Sequence, residues 1–302
     1  MMKSKIIVIV GPTGTGKTKL SIELAHYYDA EIINADSTCI YTEPLIATAK
    51  IKENEKEGIT HHMIDLISLN EDYTLFDYQK DGRNILNKLI SENKNVIIVG
   101  GSGLYIKALL YNYKLNETNK SNIDLSNYSN EELKEIANKI DINNDIHVNN
   151  RQRLLRFINR YYENGKLINK SDDINKRIYD FILIGLKTDR ETLYKMTDNR
   201  VDKMFNEGLL DEARSLYEKN FKNYTNIIGY RELNEYFNNN ISLERAKELI
   251  KQNTRHYAKR QFTWFNNQMK DIEWFDVDYN NFNNTINKIK NYIDNCMCSK
   301  SM

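Results

Sequence analysis

A chain of 302 residues, 40% hydrophobic and 28% charged, can bury a sizeable core in one large domain or two modest ones. Its net charge of +1 is ordinary for a soluble protein and does not by itself point to a nucleic-acid partner. Three cysteines, Cys39, Cys296 and Cys298, imply no disulfide framework, and no apolar run approaches the ~18 residues of a membrane span. The apolar run that follows Lys3 and Lys5 is too short for a signal peptide, so the chain reads as cytoplasmic. Nothing in it demands an oligomer, and a monomer is expected.

Residues 6–10 form a continuous apolar, β-branched run, the pattern of a strand buried on both faces of a parallel sheet. The run ends at "GPTGTGKT", residues 11–18, after which Leu20, Ile22, Leu24 and Ala25 fit an amphipathic helix. A second strand over 31–34 leads into Ala35, Asp36 and Ser37. A third over 96–99 leads into Gly100, Gly101, Ser102 and Gly103, with a helix from about Leu104. The texture then changes: "KLNETNKSNIDLSNYSN" is polar and asparagine-rich, and 131–140 reads as a short helix. A fourth strand over 181–186 precedes Asp189 and Arg190, and the chain beyond reads as helical to about Asn267. The alternation predicts an α/β fold with a P-loop NTPase-like core, a mostly parallel sheet, a small helical insertion and a helical C-terminal part. Residues 1–114 and 181–302 are assigned to the core and 115–180 to the insertion. Ligands gather at the carboxyl ends of strands in such sheets, so the three polar or glycine-rich strand ends should converge.

Gly11, Gly16, Lys17 and Thr18 fill the pattern G-x-x-x-x-G-K-[ST], with Pro12, Thr13, Gly14 and Thr15 between, after a strand and before a helix. Its backbone N–H groups present partial positive charge to an anion. Lys17 is placed to reach terminal phosphate oxygens, and the Thr18 hydroxyl to sit on a magnesium ion. The motif specifies phosphate binding but not the reaction: a nucleotide triphosphate and a departing pyrophosphate both fit. The strand over 96–99 ends in glycines, where a P-loop ATPase or kinase usually carries an acidic magnesium ligand. Asp36 ends another strand, and as a magnesium ligand, a general base or a helix cap it remains open at this point.

Two stretches concentrate basic residues without an acid. In "RQRLLRFINR", Arg153, Arg156 and Arg160 recur at helical spacing, with Leu154, Leu155 and Phe157 on an apolar side. In "KQNTRHYAKRQFTWF", Lys251, Arg255 and Lys259 stand four apart, flanked by His256 and Arg260. One such stripe is usually a solvated face; two predict localised binding of a polyanion. Tyr257, Phe262, Trp264 and Phe265 have the character to stack on bases, although core is the commoner fate.

The chain resembles the tRNA dimethylallyltransferases (tRNA isopentenyltransferases) along nearly its whole length. The resemblance rests on "GPTGTGKT", "EIINADSTCIY" with "TAK" after it, "HHMIDL", "GGSGLYIKALL", "NRQRLLRFI", "NRVDKMFNEGLLDEA", "IGYREL" and "TRHYAKRQFTWF", in the family's order. It implies transfer of a dimethylallyl group from dimethylallyl pyrophosphate to N6 of the adenosine at position 37, beside the anticodon of tRNA. The loop would then hold the pyrophosphate leaving group with Mg2+. By resemblance Asp36 takes the proton from the amine, and Arg200 of the "NRVD" segment joins Thr18 at the pyrophosphate. Asp36, Ser37, Thr38, Cys39, Ser102, Gln152, Arg153, Leu154, Leu155 and Arg156 match positions that contact tRNA. Many relatives carry Gln where Cys39 stands and Thr where Ser102 stands, and the region 111–147 looks shorter than in many of them.

Three rival readings make different predictions. A P-loop kinase or ATPase accounts for the loop but leaves the basic stripes without a role. An adenylate isopentenyltransferase, acting on free AMP or ATP, needs no tRNA grip. A tRNA-binding protein without activity would bind tRNA and release no product.

Overall fold

The computed structural model describes residues 4–115, 124–164 and 174–299, so parts of the expected insertion, 116–123 and 165–173, lie outside the described residues. Two compact units divide the chain, residues 1–111 with 177–302 and residues 112–176. An antiparallel bridge joins Tyr111 to Arg177, the two residues of the larger unit that flank the smaller one in the chain. Ile178 N–H donates to the Leu110 carbonyl at 3.0 Å, and Phe181 is buried in the core of the larger unit.

The larger unit is built on six strands, β1 (Ile6–Val10), β2 (Ala30–Asn34), β3 (His61–His62), β4 (Asn95–Val99), β5 (Ile182–Lys187) and β6 (Glu273–Asp276). They pair in the order β3-β2-β4-β1-β5-β6, and every pair is parallel. β1 is buried along its whole length, as its unbroken Ile/Val run predicts. Its alternate residues feed two different layers: Ile6, Val8 and Val10 face one, Ile7 and Ile9 the other.

The first layer is α2 (Leu75–Ser91) and α3 (Gly103–Leu110), joined by Phe265 and Met269. The second is α1 (Lys17–Tyr28) and α10 (Phe282–Ser299), whose Ile286, Ile289 and Ile293 recur at helical spacing. Local signals set several starts. Thr74 and Asp77 form a capping box for α2, and the Asp189 carboxylate accepts from Thr192 N–H at the start of α6 (Arg190–Asn206). A helical subregion follows, made of α6, α7 (Leu209–Glu218), α8 (Tyr230–Phe237) and α9 (Leu243–Gln268), around Val201, Leu209, Tyr230 and Ile250.

The smaller unit holds α4 (Asn130–Ile140), started by a Ser129–Glu132 capping box, and α5 (Arg151–Asn164). Leu125, Leu133, Ala137, Ile146, Leu154 and Ile158 make a core of its own.

Candidate active site

β1 passes into the phosphate loop at Gly11, whose φ is +141°. A Cβ there would stand 2.5 Å from the Leu186 carbonyl oxygen of β5, so the close approach of the two strands requires glycine. Gly16 is left-handed at φ +83°, which turns the chain into α1. Inside the loop, the Thr15 hydroxyl and the Lys17 ammonium both donate to the Pro12 carbonyl, at 2.9 and 2.8 Å. Thr18 is exposed at the N-terminus of α1, whose first turn carries no acid to compete for an anion. α6 delivers Asn199 and Arg200 to a cavity of about 400 Å³, shared with Gly14, Gly16, Lys17 and Thr18.

The electrostatics of this cavity are set by two cations held close together. Burial, and then the neighbouring Arg200 charge, push the Lys17 pKa down to about 7, against the pull of Asp36. Burial also lowers the Arg200 pKa, again opposed by Asp36. An anion bound between them would relieve both.

A second, smaller cavity of about 90 Å³ shares Lys17, Thr18 and Arg200 with the first and adds Thr13, Asp36, Cys39, Gly101 and Gln261. Asp36 sits just past the carboxyl end of β2. Its Oδ1 accepts from the Thr38 N–H at 3.0 Å and the Thr38 hydroxyl at 2.8 Å. That is an Asx turn, and no helix follows it, so the helix-cap reading is corrected. Asp36 Oδ2 accepts no hydrogen bond among the described residues and is left for chemistry. Ser37 N–H donates to the Ser102 hydroxyl at 3.0 Å, which ties the turn after β2 to the glycine turn after β4. Cys39 is buried, and burial with the nearby Asp36 charge raises its thiol pKa well above neutral, so it stays protonated. The three strand ends do converge, and the residues Thr13, Lys17, Thr18, Asp36, Cys39 and Arg200 meet at one place.

Three residues hold this arrangement and were not singled out from the sequence. The Lys50 ammonium, almost fully buried, donates to the Tyr41 carbonyl at 2.6 Å and pairs with Asp65 at 2.5 Å. The Glu212 carboxylate accepts the N–H groups of Leu45, Ile46 and Ala47 at 3.0, 2.9 and 3.1 Å, and the Tyr230 hydroxyl at 2.5 Å. Together they pin the 41–50 loop, which lines the smaller cavity through Thr48 and Ala49. Gln261 of α9 spans Thr13 and Gly101. All three lie inside quoted motifs, "TAK", "GLLDEA" and "TRHYAKRQFTWF", but only the tertiary fold reveals their partners. The sequence signal for Gln261 is its place between buried Ala258 and Phe265 at helical spacing.

The model of the family described as IPP transferase matches residues 39–268. The chain belongs to this family. A tRNA dimethylallyltransferase of Anoxybacillus flavithermus is 40% identical over 303 residues, 97% of this chain and of that one. A tRNA dimethylallyltransferase of Bacillus subtilis is 40% identical over 288 residues, 91% of each. Among solved structures, a full-length tRNA isopentenylpyrophosphate transferase of Bacillus halodurans is similar with a TM-score of 0.75 and 33% identity, covering 99% of this chain and 98% of that chain. A eukaryotic dimethylallyltransferase acting on tRNA reaches a TM-score of 0.83 at 28% identity, covering 98% of this chain and 80% of that chain.

The two basic stripes of this IPP transferase family member differ. In α5, Gln152, Arg153 and Arg156 are exposed and Leu155 is half-buried. Leu154 is fully buried in the core of the smaller unit, so its side chain offers no surface for contact and instead anchors the helix. In α9 the stretch itself has no acid, but two of its basic residues are paired with acids of another helix. Arg255 pairs with Asp198 at 2.7 Å and Lys251 with Asp202 at 2.6 Å, both acids coming from α6. Of its basic residues, His256, Lys259 and Arg260 are exposed. The aromatic residues split likewise: Phe265 is core, while Phe262 is exposed and packs on Trp274 at 5.2 Å between centroids. Among the described residues, no helix is long and apolar enough to cross a membrane.

Proposed function

We propose that the chain transfers a dimethylallyl group from dimethylallyl pyrophosphate to N6 of the adenosine at position 37 of tRNA. The observation that carries this reading is the 90 Å³ cavity in which Asp36 faces Lys17, Thr18 and Arg200. A phosphate cradle and an uncommitted carboxylate oxygen share one small space, as group transfer from a pyrophosphate to an amine requires.

Breaking the allylic C–O bond places negative charge on the pyrophosphate. Lys17 and Arg200 line the phosphate cavity beside the loop and, with the loop N–H groups, would take up that charge. The exocyclic amine of adenine is a poor nucleophile and must lose a proton as the new C–N bond forms; Asp36 Oδ2 accepts it. A base stacked on its neighbours in the anticodon loop cannot reach Asp36 in this cavity, so the adenosine must be extruded to enter. Gln152, Arg153, Leu155 and Arg156 on α5, with Ser37, Thr38, Cys39 and Ser102, supply the tRNA contacts. With tRNA as acceptor, the reading is of a cytoplasmic enzyme that acts as a monomer.

Mg2+ fits the donor set. Among the described residues no cluster of three His, Cys, Asp or Glu side chains forms a protein cage. Magnesium bound to substrate phosphates needs only one or two protein oxygens, and the exposed Thr18 hydroxyl supplies one. The ion would add positive charge beside the departing pyrophosphate.

A kinase or ATPase reading is weaker, since β4 ends in Gly100 and Gly101 where an acidic magnesium ligand is usually found. The test is Asp36→Ala. Turnover is expected to fall by about 100- to 10,000-fold while tRNA affinity stays within about twofold. A variant that keeps the wild-type rate removes Asp36 as the base.

A further inference from the structure

The two cavities at the phosphate loop meet at Lys17, Thr18 and Arg200 but are closed differently. On the side of Gly14 and Gly16 the space is open and lined by loop backbone. On the other side lies Thr13, the first residue of the loop after Gly11 with an N–H to offer, because proline at 12 has none. That N–H is already committed: it donates to Gln261 Oε1 at 2.8 Å. Gln261 Nε2 donates in turn to the Gly101 carbonyl at 3.0 Å, so both ends of the carboxamide are fixed. Gln261 is 5% exposed and fills the space above the glycine turn; a Cβ on Gly101 would stand 2.0 Å from its Nε2.

A chain of phosphates laid along such a loop meets the helix N-terminus at one end and the first loop amides at the other. Each phosphate needs N–H donors or cations facing it. At the Thr13 end a further phosphate would find the Thr13 N–H already committed. It would find the Gln261 oxygen, whose lone pairs repel an oxyanion, and the carboxamide itself in the way.

We propose that Gln261 is the residue that limits this loop to a diphosphate. It occupies the amide and the volume that a third phosphate requires, and leaves the space beyond to the uncharged end of the donor and the acceptor amine. This rests on the reading that the loop seats an isoprenoid pyrophosphate. It also gives the α9 helix a role at the donor site, through a residue 248 positions away from Thr13 in the chain.

The experiment measures binding of inorganic pyrophosphate and inorganic tripolyphosphate to the full chain with magnesium, by calorimetry. The wild type is expected to prefer pyrophosphate. Gln261→Ala frees the Thr13 N–H for a charged acceptor and should reduce that preference by about tenfold or more, through tighter tripolyphosphate binding. Gln261→Glu keeps an acceptor for Thr13 but adds negative charge, so it should sharpen the preference. Thermal melting checks both variants, and the glutamate variant decides if the alanine variant does not fold. A preference unchanged in folded variants, or a wild type that takes both anions equally, overturns the assignment of Gln261. A wild type that binds neither anion overturns the pyrophosphate seat itself, and the Gln261 assignment with it.

Discussion

At the phosphate loop the fixed groups are held by residues far away in the chain. Thr13 is held by Gln261, Ser37 by Ser102, and the 45–47 backbone by Glu212. In the smaller unit, residues 112–176, the holding groups are near neighbours. Arg153 pairs with Asp145 at 3.1 Å, and Arg151 donates to the carbonyls of Leu125 and Ser126 at 3.2 and 2.8 Å. Long-range ties close only when the α/β core has formed, so the geometry of the candidate site is a property of the complete larger unit. The smaller unit carries its own core and local ties, and its exposed arginines can change with little effect on anything but binding.

The sharpest way to break this distinction is Lys17→Ala. Transfer should fall about 100- to 1000-fold, because the ammonium that forms beside the bound pyrophosphate and meets its developing charge is lost. The melting temperature should hold or rise, since the charged Nζ is held in a site that disfavours its charge. Kinetics with a parallel melt decide it; rate and fold lost together would show that the loop is not set independently of Lys17.

Leu154→Ala tests the other side. The substitution should cost the smaller unit about 2–3 kcal/mol through the cavity it leaves. Hydrogen exchange is expected to speed up in α4 and α5 while β1 and β4 keep their protection. Equal loss in β1 would mean that the two units unfold as one.

Much of the larger unit was readable in the sequence because its signals are local. The Ile/Val run of β1 and the loop pattern each lie within a few residues, whereas the equally local capping box of α2 was passed over. Elements without a strong local pattern were not read: β3 has two residues, and β6 is a half-exposed "EWFD". The spacing of Ile286, Ile289 and Ile293 was available for α10 but lies beyond the stretch read as helical. The α9 stripe shows the main limit. Asp198 and Asp202 stand four apart on α6, as do Lys251 and Arg255 on α9, but only the packing of the two helices pairs them. Gln261 and Glu212 were hidden for the same reason: their partners are N–H groups more than 160 residues away.

A smaller effect is expected from Arg153→Ala combined with Arg156→Ala. Binding of tRNA should weaken, and the slope of log affinity against log salt should flatten by about 1–2, one for each phosphate contact removed. Titration at several salt concentrations measures both. An unchanged slope moves the tRNA surface elsewhere, and the local character of the smaller unit then has no bearing on binding.

The smallest expected effect is a pH dependence. With its pKa held down to about 7, Lys17 in the free protein is largely neutral at pH 8. Pyrophosphate binding favours the protonated form, so binding at pH 8 should draw in close to one proton at this group, and affinity should fall as pH rises from 7 to 9. Calorimetry in buffers of different ionisation heat, compared with Lys17→Met, isolates the contribution. Equal proton uptake in both would show that Lys17 is charged already.

The most direct measurement is a transfer assay on unmodified tRNA with magnesium and dimethylallyl pyrophosphate, read by mass spectrometry of the nucleosides. Parallel reactions replace tRNA with AMP, or supply ATP alone. Dimethylallyl-adenosine is expected in the tRNA reaction only, at the nucleoside beside the anticodon. Product with AMP but not tRNA, or ATP hydrolysis with no prenylated nucleoside, would contradict the account.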